Sequence, residues 1–463
     1  MAKKFHEIRD PIHVFVRLTT EEREVLNSRA FQRLRHIHQL ALTYLVYPGA
    51  THRRFEHSLG VMELAGRIYD VVTDPANVTD QIRELLPDIT DDHKRSYWRQ
   101  VLRIAALLHD VGHLPFSHAA EELLPSGVTH EHLTRKIILD DELGGILDGL
   151  KIQRMDVVKL ALGPKEAPKL TFTTWESILA EIIVGDAFGA DRMDYLLRDS
   201  HHAGVAYGRF DHFRLVDTLR ILPVPPAGSG KAAPAKPPEG DAKAAVPAPK
   251  SDGSTEPALG ILDGGIHSAE ALMLARFFMF TQLYFHQVRR IYDIHLKDFL
   301  VQTLPGGKYV DTVNGHLEMT DNEVTASILK ASRCPAGHGH NPARRIAKRE
   351  HFKLFYQRHP DDVKINHEPG KAVYCAAKAK FGQENVRWDF QPAKGRSPEF
   401  PVMPKVGSVA SSTAISEPLA HLPAASFDYV FVEPKLYAEA RQWLEANRNG
   451  ILSSKEAADH EQN

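Results

Sequence analysis

Ile104 to Glu122 read IAALLHDVGHLPFSHAAEE, and the reading of this stretch decides the fold. An apolar helical run delivers His109 and Asp110 as adjacent polar residues at its end. His113 follows one helical turn later if the helix continues. Gly112 and Pro115 then loosen or redirect the backbone before His118. Burying so many ionisable groups beside an apolar run is unfavourable unless they pair or bind a metal. Imidazole with carboxylate is the ligand set expected for Fe, Mn, Zn or Mg ions. A His-Asp pair alone also fits a capped helix end with a salt bridge, so other segments must decide.

Two of them do. RRFEHSLGV (53–61) places His57 at the start of an amphipathic helix. GADRMDYLLRDSHH (189–202) places Asp191, Asp194 and Asp199 in a helix that also carries Leu196 and Leu197. A His from one helix, His-Asp from a second and an Asp from a third would make a closed metal cage.

Outward from these motifs, apolar spacing is mostly helical to about residue 220, as in Leu59, Met62, Leu64, Ala65 and Ile68. Near the start, Ile12, Val14, Val16 and Leu18 alternate as in a short strand, and Thr19, Thr20, Glu21 and Glu22 form a helix start. The segment 223–257, rich in Pro, Ala, Gly and Lys and lacking aromatics, cannot bury enough apolar surface to offset its ordering entropy. Helical signal returns over 267–300, and strands are predicted at Val373–Ala376 and Tyr429–Val432. The expected organisation is a mainly α protein: an all-helical core over 1–222, a flexible linker or insertion at 223–258, and a helical continuation over 259–345. A smaller α+β subdomain at 346–452 and a polar tail at 453–463 complete it.

Composition sets the class. The chain of 463 residues is 43% hydrophobic and 25% charged with a formal net charge of -2, which reads as globular and gives no global field toward nucleic acid. Its 2 cysteines, Cys334 and Cys375, form no CxxC pair, so a disulfide framework or zinc knuckle is not expected and a reducing cytoplasm fits. The opening MAKKFHEIRD has no apolar stretch behind its lysines, and no window approaches the roughly 20 apolar residues of a membrane span.

FQRLRHIHQL (31–40), YPGATHRRFEHSLGV (47–61), LLHDVGHLPFSH (107–118), THEH (129–132) and DRMDYLLRDSHH (191–202) together resemble the HD-domain phosphohydrolases with their H…HD…D signature. The likeness is closer still to the SAM-and-HD-domain deoxynucleoside triphosphate triphosphohydrolases and their bacterial relatives. It holds in order and spacing over roughly residues 8–215 and continues more loosely through 267–300. The resemblance implies that His57, His109, Asp110 and Asp191 hold a divalent ion, whether Fe, Mn, Mg or Zn. It also implies proton transfer and phosphate contact at His113, His118 and His130, with Glu121 three residues from His118 and able to orient it.

Arg54, Arg192 and Arg276 are expected on the phosphate chain, where guanidinium forks suit anionic oxygens, although the best-studied relatives carry lysine at position 192. Gln39, with its neighbour Leu40, and Tyr195, Asp199 and Tyr284 resemble the residues that read the sugar and pack on the nucleoside. Gln39 and Asp199 would bond the 3′-hydroxyl, and Tyr195 would crowd the 2′ position against ribonucleotides. One departure is Asn27, where members activated by guanine nucleotides carry an acid, although Gln32 and Arg35 are kept. Guanine-specific activation is therefore not expected.

The leading expectation is a cytoplasmic, metal-dependent enzyme that cleaves a deoxynucleoside triphosphate to deoxynucleoside and triphosphate, assembled as a dimer or tetramer. One competing reading is an HD phosphohydrolase acting on another nucleotide or phosphate ester. The other is a nucleotide-sensing or nucleic-acid-binding regulator that uses the basic stretch ARRIAKREHFK (343–353).

Overall fold

In the computed structural model, residues 5–224, 255–393 and 398–453 are described, apart from the side chains of His118 and Ala119. Most of the expected linker thus lies outside the described residues. The chain opens with an antiparallel hairpin, β1 (His6–Asp10) and β2 (Val14–Leu18), in the register His6↔Leu18. The second strand was legible from alternation; the first, HEIRD, was not, because its only apolar residue is Ile8. Thr19 ends the hairpin and starts α1 (Thr20–Leu26) with a capping box, its hydroxyl accepting from Glu22 N while Glu22 returns a bond to Thr19 N.

The centre of the protein is α2 (Arg54–Val72), buried on nearly all sides, packed between α3 (Asp92–Leu108) and α8 (Ala190–Ala203). A helix buried on most of its faces belongs in the middle of a bundle. Around these stand α5 (His130–Leu139), α6 (Arg154–Glu166), α7 (Thr174–Val184) and α8 (Ala190–Ala203), with the one-turn α4 (His118–Glu121) after the HD stretch. Gly204, at φ 73°, ends α8 in the left-handed conformation that glycine adopts freely. Arg103 on α3, nearly buried, donates to both oxygens of Glu22 and to the Arg17 carbonyl, tying α3, α1 and β2 together.

Helix α3 ends at Leu108 with His109 as its C-cap, so His113 sits in a turn and not one helical turn further along. Two small sheets flank the bundle. β3 (Leu219–Val224) and β4 (Glu256–Leu262) pair antiparallel, and β7 (Pro401–Met403) and β8 (Ala410–Ser411) extend that sheet. Phe400, Val402 and Leu419 thereby enter the main hydrophobic cluster, which places a stretch read as part of the C-terminal subdomain against the helical core.

Beyond β4 come α9 (Ile266–Phe278), a π-helical turn over Met279–Tyr284, and α10 (Gln287–Thr303). The C-terminal unit is the antiparallel sheet β5 (Lys353–Gln357), β9 (Phe427–Val432) and β6 (Val386–Gln391), covered by α11 (Pro369–Phe381) and α12 (Tyr437–Ser453). The strand at Tyr429–Val432 is part of β9. The strand predicted at Val373–Ala376 is helical, inside α11. Pro369 starts that helix and its Ala- and Lys-rich sequence favours it, outweighing one β-branched residue and a tyrosine. Among the described residues, no helix is long and apolar enough to cross a membrane.

Glu181 on α7 faces β4. Burial raises its carboxyl to about 7, against the lowering effect of the Leu259 backbone N–H. The folded state therefore keeps this proton at a pH where the unfolded chain, with an ordinary value of 4.5, has lost it. Stability must fall as pH rises between those values. Glu181→Gln, which can still accept from Leu259, is expected to flatten that slope and to gain on the order of 1–3 kcal/mol at pH 8. Urea unfolding at pH 5 and pH 8 measures the difference; an unchanged slope contradicts the assignment.

Candidate metal centre

Three helices bring the cage together. His57 comes from the first turn of α2, His109 and Asp110 from the end of α3, and Asp191 from the first turn of α8. The ligand atoms of His57, His109 and Asp110 all lie within 4.8 Å of one another. His57 Nε2 is 3.0 Å from Asp191 Oδ1 and 3.7 Å from Asp110 Oδ2. His109 Nε2 is 3.4 Å from Asp110 Oδ1 and 3.6 Å from Asp191 Oδ1.

The donor set fits a divalent ion. His109 Nδ1 lies 2.7 Å from the Ala106 carbonyl, an acceptor only, so Nδ1 carries the proton. Nε2 is then a bare lone pair, buried, without a hydrogen-bond partner, and turned toward two carboxylates. His57 is oriented in a similar way, its Nδ1 2.8 Å from Asp194 Oδ2. Such carboxylate–imidazole pairs set the tautomer of metal-binding histidines.

Electrostatics agree. Burial alone would strip the proton from His57, but bonds to Asp191 and Asp194 and the nearby Asp110 raise it to about 10. Burial opposes ionisation of Asp110 and Asp191, yet the former is held well below the usual carboxylate range by Arg54 and His109, and the latter by His109 and His57. The cluster is a concentration of negative charge seeking a cation.

On one flank, His113 Nε2 lies 3.2 Å from Asp110 Oδ1, and its ring stacks on His130 at 4.0 Å. Burial, then Arg54 and His130, push His113 well below its usual range. Burial also opposes the charge on His130, but a hydrogen bond from its Nδ1 to Glu121 raises it. Glu121 thus orients His130; the His118 side chain lies outside the described residues. The turn before α4 holds Phe116 and Ser117 at φ 56° and 55°, a conformation disfavoured for residues with a side chain. Ser117 Oγ accepts from Arg54 Nε and Nη2, and Arg54 Nη1 donates to Asp110 Oδ2.

On the other flank, Arg192 and Arg276 converge on Asp186: Arg192 Nη2 donates to its carboxylate at 3.2 Å and Arg276 Nη1 to its carbonyl at 3.5 Å. Arg192 Nε and Nη1 are buried without a hydrogen-bond partner. Beside them Tyr195 meets Tyr284 edge-on at 6.1 Å, and Tyr284 donates to Asp199 Oδ2 at 2.7 Å. Gln39 Oε1 is buried and unpartnered, and Leu40 is buried next to it. The structure thus brings Arg54, His113, Glu121 and His130 together on one flank of the cage, and Arg192, Tyr195, Asp199, Arg276 and Tyr284 on the other. Sequence reasoning missed Ser117; His52, which bonds the second Asp199 oxygen at 2.7 Å; and the role of Asp194. All three lie inside or beside motifs already singled out, so proximity to them was the available signal.

Comparisons with known proteins agree with this geometry. Residues 54–166 match the HD domain family model and residues 254–379 match the HD associated region. An uncharacterized protein of Methanocaldococcus jannaschii is 33% identical over 297 residues, covering 64% of this chain and 49% of its own length. The deoxynucleoside triphosphate triphosphohydrolase SAMHD1 of Bos taurus is 32% identical over 243 residues, 47% of this chain and 38% of that protein. The crystal structure of a hypothetical protein from Aquifex aeolicus covers 95% of this chain and 100% of its own, with a TM-score of 0.73 and 29% identity. The chain spans about half the length of the first two curated relatives it matches, at 49% and 54% of them. HD domains bind divalent metal ions, and here His57, His109 and Asp110 form the candidate site.

Because His57 holds its proton up to about 10 in the metal-free protein, binding through Nε2 must release one. Apparent Mn²⁺ affinity is expected to rise with pH between roughly 6 and 8 by up to about tenfold per unit. Calorimetry in buffers of different ionisation enthalpy should detect about one proton released. His109→Ala should abolish binding; a pH-independent affinity without proton release would contradict the assigned ligand.

Proposed function

This chain belongs to the HD-domain superfamily of phosphohydrolases, and from that premise we propose that it converts deoxynucleoside triphosphates to deoxynucleoside and triphosphate. One observation carries the reading. Asp191, Tyr195 and Asp199 stand at i, i+4 and i+8 on α8, so one helix face runs from the cage to the sugar-reading tyrosine and carboxylate over about 12 Å. That is the order in which a nucleotide presents its phosphate and then its sugar.

His57, His109, Asp110 and Asp191 would hold a divalent ion, which would supply Lewis acidity toward a phosphoryl oxygen and lower the pKa of a water. The remaining work falls to the chain's own groups. Arg192 and Arg276 leave Asp186 to bind the phosphate chain, with the unpartnered Arg192 nitrogens turned to the anion. Arg54, fixed by Ser117 and Asp110, steadies charge gained at the α-phosphoryl group. The leaving 5′-oxygen takes its proton from His118, while Glu121, bonded to His130 Nδ1, favours the protonated form of that imidazole. Gln39 and Asp199 bond the 3′-hydroxyl, and Tyr195, backed by Tyr284, closes the space a 2′-hydroxyl needs.

Assembly as a dimer or tetramer is part of the proposal, with Leu274 and Phe278, both partly exposed on α9, as an apolar face. The nucleic-acid reading of 343–353 is weaker. Arg344 pairs with Glu350 and Arg345 with Glu433, and Arg349 donates to the Leu45 carbonyl, so much of the positive charge is already engaged.

Metal-loaded protein incubated with each dNTP and NTP should release deoxynucleoside and triphosphate, resolved by ion-exchange chromatography. Asp110→Ala should lower kcat/KM roughly 10³-fold, equivalent to about 4 kcal/mol of transition-state stabilisation. Tyr195→Ala should narrow the preference for deoxynucleotides. Diphosphate or monophosphate products, or equal rates on ribo- and deoxynucleotides, would move the substrate to another phosphate ester on the same scaffold.

A further inference from the structure

Asp194 is fully buried on α8. Its Oδ2 is 2.8 Å from His57 Nδ1, on the side of the imidazole away from the cage. Arg198, one turn further along α8 and also fully buried, grips it with a two-pronged fork: Nε to Oδ2 at 2.8 Å and Nη2 to Oδ1 at 2.9 Å. His13 Nε2 reaches Oδ1 at 2.7 Å. The third prong of Arg198, Nη1, donates to Asp10 Oδ2 at 2.8 Å. Asp10 in turn accepts from the backbone N–H groups of Ile12 and His13 through Oδ1, at 2.9 and 2.8 Å. An unbroken line of bonds thus runs from the turn of the N-terminal hairpin through Asp10, Arg198 and Asp194 to His57.

We infer that Asp194 is a positioning residue for the metal centre and that the β1–β2 hairpin, through Asp10 and His13, is an integral part of that centre. A carboxylate acceptor on Nδ1 keeps the proton there and leaves Nε2 to the metal, while the fork fixes the plane and depth of the imidazole. A purely structural ion pair between Asp194 and Arg198 would not require His57 at hydrogen-bond distance. A second observation is independent of the hydrogen bonds. Gly60, on α2 three residues after His57, faces the fork: a Cβ there would lie 2.0 Å from Asp194 Oδ1 and 2.4 Å from Arg198 Nη2. The helix that carries His57 approaches so closely that only hydrogen fits.

The inference rests on the metal-centre reading, and its test separates the two. Asp194→Asn, Asp10→Asn and Gly60→Ala are made in the full chain, with Gly66→Ala as control. Gly66 is on the same helix, where a Cβ would meet Arg103 Nη1 at 2.6 Å, away from the cage. Each protein is titrated with Co²⁺ while its visible ligand-field spectrum is recorded, and the thermal midpoint of the metal-free form is measured alongside. Asp194→Asn and Gly60→Ala should weaken Co²⁺ binding about 10- to 100-fold and shift the spectrum, and Asp10→Asn should act in the same direction. Gly66→Ala should keep wild-type affinity and spectrum even if its midpoint falls as far. If Asp194→Asn does not fold, Gly60→Ala and Asp10→Asn decide. Wild-type affinity and spectrum in the folded variants overturn the inference, as does a loss in Gly66→Ala that parallels its stability. Failure of the wild type itself to bind would overturn the metal-centre reading and this inference together.

Discussion

Charge that must be compensated away from water organises this protein. Asp10, Asp110, Asp191 and Asp194 are brought to within a few bonds of one another by α2, α3, α8 and the N-terminal hairpin. Arg54 pairs with Asp110, and Arg198 with both Asp10 and Asp194, so two positive charges stand against four negative ones. The two negative charges left over equal the charge of a divalent ion. Neighbouring features follow from this requirement: the bare Nε2 of His109, the bond that turns His57 toward the cage, and the glycine that lets α2 come close enough.

The same requirement separates the two flanks. Beside Asp110 sit the imidazoles His113 and His130, one shifted toward the neutral form by burial and the other shifted, against burial, toward the protonated form by Glu121. Pairs whose environments drive their protonation apart are suited to moving a proton in one direction. Beyond Asp191 lie guanidinium and phenol groups, suited to anion and sugar recognition. Helix α8 joins the two functions because its side chains repeat on one face every turn.

Much of this was legible in the sequence. The apolar run ending in His109-Asp110, the helix carrying His57 and the acids of 191–199 were enough to place the cage, since burial of ionisable groups next to leucines has few explanations. What was not legible depended on tertiary contact. Asp194 and Arg198, four apart, look like an ordinary surface pair until the hairpin covers them. Glu121 was matched to His118 by helical spacing, and its bond to His130, nine residues on, left no signal in the sequence. The π-helical turn that aims Tyr284 leaves no trace in apolar periodicity, which ran unbroken through 267–300. Val373–Ala376 misled because four residues cannot outvote the helix around them.

Asp10 and Arg198 are separated by 188 positions, and that distance has a meaning in time. At the roughly 5–20 residues per second of synthesis, the hairpin waits about 10–40 s after it is made for the helix that completes its ion pairs. Until then Asp10 has no guanidinium and His57 no carboxylate behind it. The centre is therefore among the later parts of the domain to assemble. A nascent chain that already shows its HD stretch still lacks Asp191 and Asp194, and cannot hold an ion in the geometry of the finished site.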